Sequence, residues 1–244
     1  MTFSSVPHPE SRMVTVIAVD GPAGAGKSTL ARDLARKLKV YHVDSGAFYR
    51  AVTYYALKNG FESKGEHLFD DPRFFEGICL KVLPYGNQIG PVELNGEPLG
   101  DHLRSWEVTQ WVSRVSAHPA VREFVNWQLR KLSRDYPLVI DGRDIGTVVF
   151  PDAPIKFYVT CNLRERARRR QQEMMHSGED APSFEEVFKN INARDESDTT
   201  RTIAPLRVAP DAFYIDTTSL TPKEQLNQAV AYIRQRMPDL LGND

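Results

Sequence analysis

The 244-residue chain is 41% hydrophobic and 26% charged, the balance of an ordinary soluble globular protein. Its 31 Lys and Arg stand against 32 Asp and Glu, so it lacks the basic excess of a protein that binds a nucleic acid polymer, and any phosphate recognition has to be local. Two widely separated cysteines, Cys79 and Cys161, make neither a metal spacing nor a disulfide framework, and no apolar run is long enough to cross a bilayer; a reducing, cytoplasmic compartment is the expectation.

The length suits one α/β domain, or one carrying an insertion. The opening "MTFSSVPHPESRM" has neither the basic segment nor the apolar run of a secretion signal, and residues 1–12 are expected to form a disordered tail. "VTVIAVD" from 14 is nearly continuous in β-branched residues and reads as a strand buried on both faces. "GPAGAGKS" follows at once, and then Leu30, Leu34 and Leu38 recur every four residues, as in a helix. "VYHVD" from 40 is a second strand, and "DSGAFYR" opens another helix with Asp44 or Ser45 as its cap.

Between about 62 and 105 this rhythm breaks. "ICLKVLP" and "PVELNGEPLG" read as antiparallel strands, with Asn95-Gly96 a favoured type I′ turn pair. Strand signals resume at "PLVID" from 137, "IKFYVT" from 155 and "AFYID" from 212. Between the last two lie "NLRERARRRQQEMM", with Asn162 and Glu165 placed as an N-cap pair, and "SFEEVFKNI". The latter has Ser183 and Glu186 spaced as a capping box, and Phe184, Val187, Phe188 and Ile191 on one face. The expected architecture is α/β: a five-stranded parallel sheet with helices on both faces. Its core spans 13–61 and 106–244, with a small β insertion at 62–105 and an arginine-rich lid at about 162–182.

The glycine-rich segment matches the P-loop pattern in full, between a strand and an amphipathic helix. In that setting Gly21, Pro22, Ala23, Gly24, Ala25 and Gly26 turn backbone N–H groups around phosphate oxygens, at the positive end of the helix that continues through Thr29. Lys27 reaches the β- and γ-phosphates, and the Ser28 hydroxyl can ligate Mg²⁺. A plain glycine-rich turn would not need every fixed position of the motif. The pattern fits an NTP-driven switch as well as a kinase, but the Asn-Lys-x-Asp base-reading motif of guanine-nucleotide switches is missing. A kinase needs a second anion site facing the first, and the chain has candidates for one.

In "DSGAFYR", Ser45 and Arg50 lie just past the end of the second strand, beside the P-loop in a doubly wound sheet. Mere capping with a solvated arginine would explain them too. "DGRD" ends the third core strand; Asp141 follows "LVI" as the Mg²⁺-organising acid of P-loop proteins often does, and Arg143 and Asp144 project over the crevice. A local salt bridge is the plainer alternative there. "RERARRR" holds Arg164, Arg166, Arg168, Arg169 and Arg170; as a lid over a triphosphate it would supply cationic donors, and as a plain basic face it would be solvated. Arg194, Asp198 and Arg201 share one helical face if the helix continues that far.

"VIAVDGPAGAGKST", "DSGAFYR", "DGRDIGTVVFPDA" and "RTIAPL", in that order, resemble the signatures of the bacterial cytidylate (CMP) kinase family, over about residues 14–235. The resemblance implies a monophosphate-binding β domain, a lid, and Mg²⁺-dependent transfer from ATP to CMP or dCMP, with no covalent intermediate. It implies that Ser45 and Arg50 seat the acceptor, with Arg143 and Arg201 at its phosphate, and that Ser113, Arg122 and Asp144 line a cytosine pocket. Asp198 would meet the sugar hydroxyls, with Arg194 in the same site. Lys27, Arg143, Arg166 and Arg170 would be catalytic, Arg169 would join the ATP site, and Asp141 would hold Mg²⁺ through water. Ser197 and Thr199 depart from the arginines that some members carry there. The expected partners are small nucleotides, not a nucleic acid polymer or a membrane, and a monomer is expected.

Overall fold

The computed structural model describes residues 15–85, 88–176 and 182–241. The expected tail at 1–12 and part of the expected lid lie outside them. In chain order the elements are β1 (Val16–Asp20), α1 (Lys27–Leu38), β2 (Tyr41–Asp44), α2 (Ser45–Lys58), α3 (Phe61–Lys64), α4 (Pro72–Glu76), β3 (Leu80–Tyr85), β4 (Gln88–Leu94) and β5 (Glu97–Pro98). They continue as α5 (Trp106–Ala117), α6 (Pro119–Asp135), β6 (Leu138–Gly142), β7 (Ile155–Thr160), α7 (Leu163–His176), α8 (Phe184–Thr200), β8 (Phe213–Asp216) and α9 (Pro222–Arg236).

All five apolar runs read from the sequence became strands of one parallel sheet, in the order β2-β6-β1-β7-β8. Burial on both faces holds for β1 and β6, every residue of which is buried. It does not hold for β2 and β8, which are only partly buried because each has one edge without a strand neighbour. One face packs on α1 and α9 through Leu30, Leu34, Phe157, Ile215 and Ile233. The other packs on α2, α5 and α6 through Phe48, Val52, Val115, Val125, Leu129 and Ile140. Each such side chain stabilises the fold by about 1.5–3 kcal/mol relative to exposure. The register sets the carboxyl ends of β2, β6 and β1 side by side: Asp44 lies opposite Asp141, and Asp20 opposite Gly142.

The inserted segment is a β unit only in part. From Phe61 to Glu76 it is helical, built on Phe61, Phe69 and Phe74, with Asp71 and Pro72 starting α4. The antiparallel sheet β3-β4-β5 follows, and the expected turn is in place: Asn95 (φ 53°) and Gly96 (φ 88°) link paired Leu94 and Glu97. Asn162 caps α7 by accepting from the Arg164 amide (2.8 Å). Glu165 does not complete that cap, because the Asn162 amide donates to Thr218 Oγ1 (2.9 Å) and Glu165 is taken by Arg168 and Arg169. Ser183 and Glu186 form the expected capping box on α8.

Candidate active site

The central strand runs into the glycine-rich loop. A side chain at Gly21 would collide with the carbonyl of Val159, and Gly26 sits at φ 89°, a conformation that favours glycine. Gly26 ends the loop as the N-cap of α1 without a side-chain cap, so the first-turn amides face the loop's concavity. Lys27 is buried, its Nζ 3.4 Å from the Pro22 carbonyl. Burial, helped by the charge of Arg143, pulls its pKa down to about 8.

Three braces hold the loop from outside. Thr217 Oγ1 donates to the Ala25 carbonyl (2.8 Å), Gln225 Nε2 to that of Gly26 (3.2 Å) and Arg166 Nη1 to that of Ala23 (3.0 Å). Arg166 is itself pinned by the Cys161 carbonyl (2.9 Å) and Asp195 (2.6 Å). Arg169 bonds the Thr217 carbonyl (2.7 Å), fastening α7 to the same rim. Arg170 stays exposed and lies 3.2 Å from Glu173.

Next to the loop, the Ser28 hydroxyl donates to Asp141 Oδ2 (2.5 Å) and His42 Nε2 donates to Asp141 Oδ1 (2.7 Å). Burial works to raise the Asp141 carboxyl, but His42, Lys27 and Ser28 outweigh it and hold it below the usual range. Asp44 moves the other way, raised by burial and by its neighbour Asp141. Hard oxygen donors on Ser28 and Asp141 are the chemistry that suits Mg²⁺. Among the described residues no cluster of three His, Cys, Asp or Glu side chains could hold a metal alone, so an ion here would share its shell with phosphate and water.

The loop after β6 carries the second cluster. Asp20, buried at the end of β1, accepts from the amides of Ile145 (2.8 Å) and Gly146 (2.7 Å), so the P-loop's own strand holds the turn that displays Arg143 and Asp144. Those amides favour the carboxylate, yet burial dominates and pushes the Asp20 pKa up to about 7. Arg143 Nε donates to Asp198 (2.7 Å). Asp144 pairs with Arg122 (2.5 Å) and lies 3.5 Å from Arg201, which is 3.7 Å from Asp198. Arg201 caps the end of α8 rather than extending it, and still meets Asp198. Three buried donors here, Tyr49 Oη, Arg122 Nε and Arg201 Nη2, have no hydrogen-bond partner among the described residues. Burial, and then the charges of Arg143 and Arg50, lower the Arg194 pKa to about 10.

The other expected residues are placed less centrally. Ser45 Oγ is buried and donates to the Asp141 carbonyl (2.8 Å). Arg50 reaches toward the Leu103 carbonyl (3.3 Å) and Thr109 (3.4 Å). Ser113 is exposed on α5, linked to Arg122 only through Ser116, whose carbonyl Arg122 holds (3.0 Å). Thr29 lies in the first turn of α1. Sequence reasoning passed over His42, Asp20, Thr217 and Gln225. Asp20 carried a signal, an acid closing a strand of otherwise apolar residues; the others became visible only with strand and helix packing.

An anion cradle and a set of acid-held arginines, tied together at the carboxyl ends of a parallel sheet, define a P-loop phosphotransferase rather than a switch. A model of the family described as cytidylate kinase matches residues 17–235. The chain belongs to the cytidylate kinase family. A cytidylate kinase of Carboxydothermus hydrogenoformans is 43% identical over 220 residues, 90% of this chain and 97% of that one. One of Halalkalibacterium halodurans is 41% identical over 221 residues, 91% and 98%. A bifunctional pantoate ligase/cytidylate kinase of Synechococcus sp. (strain JA-3-3Ab) is 40% identical over 229 residues, 94% of this chain but 42% of that one.

Proposed function

We propose that the protein transfers the γ-phosphoryl group of ATP to CMP and dCMP, giving CDP and dCDP, by direct in-line displacement. The observation that carries this reading is a set of buried donors around Asp144 without a hydrogen bond of their own, Tyr49 Oη and Arg122 Nε, beside Arg201 Nη2, whose contact with Asp144 is a 3.5 Å ion pair. A nucleotide supplies acceptors to such donors through its base carbonyl and its phosphate, and cytosine adds an exocyclic amine that a carboxylate can accept.

In this reading residues 21–29 hold the ATP phosphates and Lys27 follows the transferring group. Ser28, and Asp141 through water, would hold Mg²⁺, which when bound neutralises charge between the β- and γ-phosphates. Arg143, Arg201 and Arg50 draw in the acceptor phosphate, and Asp144, Arg122 and Ser113 read cytosine. Asp198, with Ser45 and Arg194, meets the sugar; the 3′-hydroxyl, which dCMP keeps, suffices for it. Arg170 is open to reach the transferring phosphoryl group, whereas Arg166 and Arg169 act by bracing the P-loop and its rim. The acceptor oxygen is already anionic, so no general base is needed.

The segment 62–105 serves as the monophosphate-binding domain and 162–182 as the lid, and their closure excludes water from the transfer. A monomer supplies every residue named here. The free cysteines Cys79 and Cys161 suit a reducing, cytoplasmic setting. A coupled assay tests the reading: ADP release should depend on added CMP or dCMP. Release without an acceptor, or none with any monophosphate, would overturn it.

A further inference from the structure

A cavity of about 300 Å³ opens between the first turns of α2, strand β4 and the short turn Gly100–Arg104, and its lining includes His42, Asp44, Arg50, Asp101 and Arg104. Arg50 is tied to that turn through the Leu103 carbonyl (3.3 Å), and Leu103 is buried, which fixes the backbone beside it. The next residue, Arg104, therefore stands next to Arg50 at the cavity wall. Arg104 is exposed and makes no hydrogen bond or ion pair among the described residues, although Asp101 is three residues away on the same turn. After burial and the opposing charge of Asp44, the charge of Arg104 is the next influence on the proton affinity of Arg50, which is lowered. Two arginines thus line one cavity together with two carboxylates, Asp101 and the α2 cap Asp44, which already accepts from the Gly46 amide (2.8 Å); neither arginine forms an ion pair with them among the described residues. Like charges that face one cavity without an ion pair of their own repel, and an anion between them relieves that cost.

We infer that Arg104 is a further acceptor-binding residue, which contacts the phosphate of the incoming monophosphate from the side of the insertion. The inference rests on the functional reading above. It assigns the insertion a charge of its own: as the turn approaches the core, Arg104 adds to Arg50 at the moment two polyanionic phosphate groups must be brought together. A point charge from Lys would replace part of this, and a neutral side chain none of it.

The test compares wild-type protein with Arg104→Ala and Arg104→Lys. The KM for CMP should rise about tenfold in Arg104→Ala, the scale of one charge-assisted hydrogen bond at a partly open site. It should rise less in Arg104→Lys, while the KM for ATP stays constant in both. Binding separates phosphate from base: Arg104→Ala should lose about tenfold in affinity for CMP and none for cytidine, which has no phosphate. An unchanged CMP affinity makes Arg104 a solvated surface residue and overturns the inference, as does an equal loss for CMP and cytidine. Absence of CMP-dependent turnover in the wild type defeats the functional reading, and this inference with it, before any substitution is examined.

Discussion

Asp144 holds two arginines and, on the function proposed above, also selects the base; substitution can separate the two roles. It is buried against Arg122, their side chains 5% and 3% exposed, and it also faces Arg201 at 3.5 Å. Replacing it by Ala leaves two guanidinium groups near each other in a buried site without their shared acid. Breaking a buried pair from one side costs about 3–5 kcal/mol. At about 2–4 °C per kcal/mol for a chain of this size, the Tm of Asp144→Ala should fall by roughly 6–20 °C. The second, proposed role is selection. Cytosine offers an amine where uracil offers a carbonyl, and one such contact is worth about 1–3 kcal/mol of discrimination. The ratio of kcat/KM for CMP to that for UMP should therefore drop by about tenfold or more. Thermal melts and steady-state assays with both acceptors read the two effects independently. Asp144→Asn, which keeps the volume and one acceptor oxygen but not the charge, should recover only part of the Tm and not the ratio. A ratio that stays constant while both activities fall equally would reduce Asp144 to the holder of Arg122. An unchanged Tm would refute the argument from burial.

Lys27→Ala should lower kcat by about a hundredfold or more, as loss of a transition-state charge partner does, while circular dichroism stays native because Lys27 has one weak contact at 3.4 Å. Arg166→Ala should raise the KM for ATP more than that for CMP, because it frees the Ala23 carbonyl and strands Asp195; Arg166→Lys should not rescue it, since one ammonium cannot span three fixed acceptors. For Asp20 the folded pKa, about 7, lies above the ordinary carboxyl value of 3.8, so the native state binds its proton more tightly than the unfolded chain does. This group therefore adds stability as pH falls from about 7 to about 4, of the order of 4 kcal/mol in full. Denaturant titrations of Asp20→Asn across that window should show a flatter profile than wild type, and identical slopes would defeat the assignment.

The fold was legible because its signals are local. An apolar run bounded by Gly, Asp and Pro is a strand whatever else surrounds it, and all five runs proved to be so. The helical part of the insertion, from Phe61 to Glu76, was harder to read, because its elements are one turn long and packed by clustered rings rather than by a periodic stripe. At the site, "GPAGAGKS" and "DGRD" announced themselves by spacing. His42 did not: a histidine in "VYHVD" looks like any half-buried strand residue until β2 pairs with β6 and sets it against Asp141. The arginines of α7 show the same limit. Composition made Arg166, Arg169 and Arg170 equivalent, and only packing divides two braces from one exposed cation.

That division bears on how the site tolerates its own charge. Arg122, Arg143 and Arg166 each sit against a carboxylate, Asp144, Asp198 or Asp195, so their burial is compensated before any nucleotide arrives. Arg194 has no such ion pair among the described residues; burial first, and then the charges of Arg143, Arg50 and Arg170, act against its charge, and Asp198 acts in its favour. An uncompensated cation beside three others makes the empty site the less favourable electrostatic state and the anion-filled site the more favourable one. The paired arginines fix geometry, because their acids hold them in place whether or not substrate is present. Arg194, which lacks such a pair, would add to the drive for binding on the function proposed above, because a phosphate relieves its charge. If α7 and the segment 62–105 close as proposed above, bringing Arg170 and Arg50 toward Arg194 is repulsive without an anion and attractive with one, so occupancy would be coupled to closure. On the function proposed above, the arginines that bind the acceptor would thereby resist closing over an empty cleft, and an acceptor phosphate would remove that resistance.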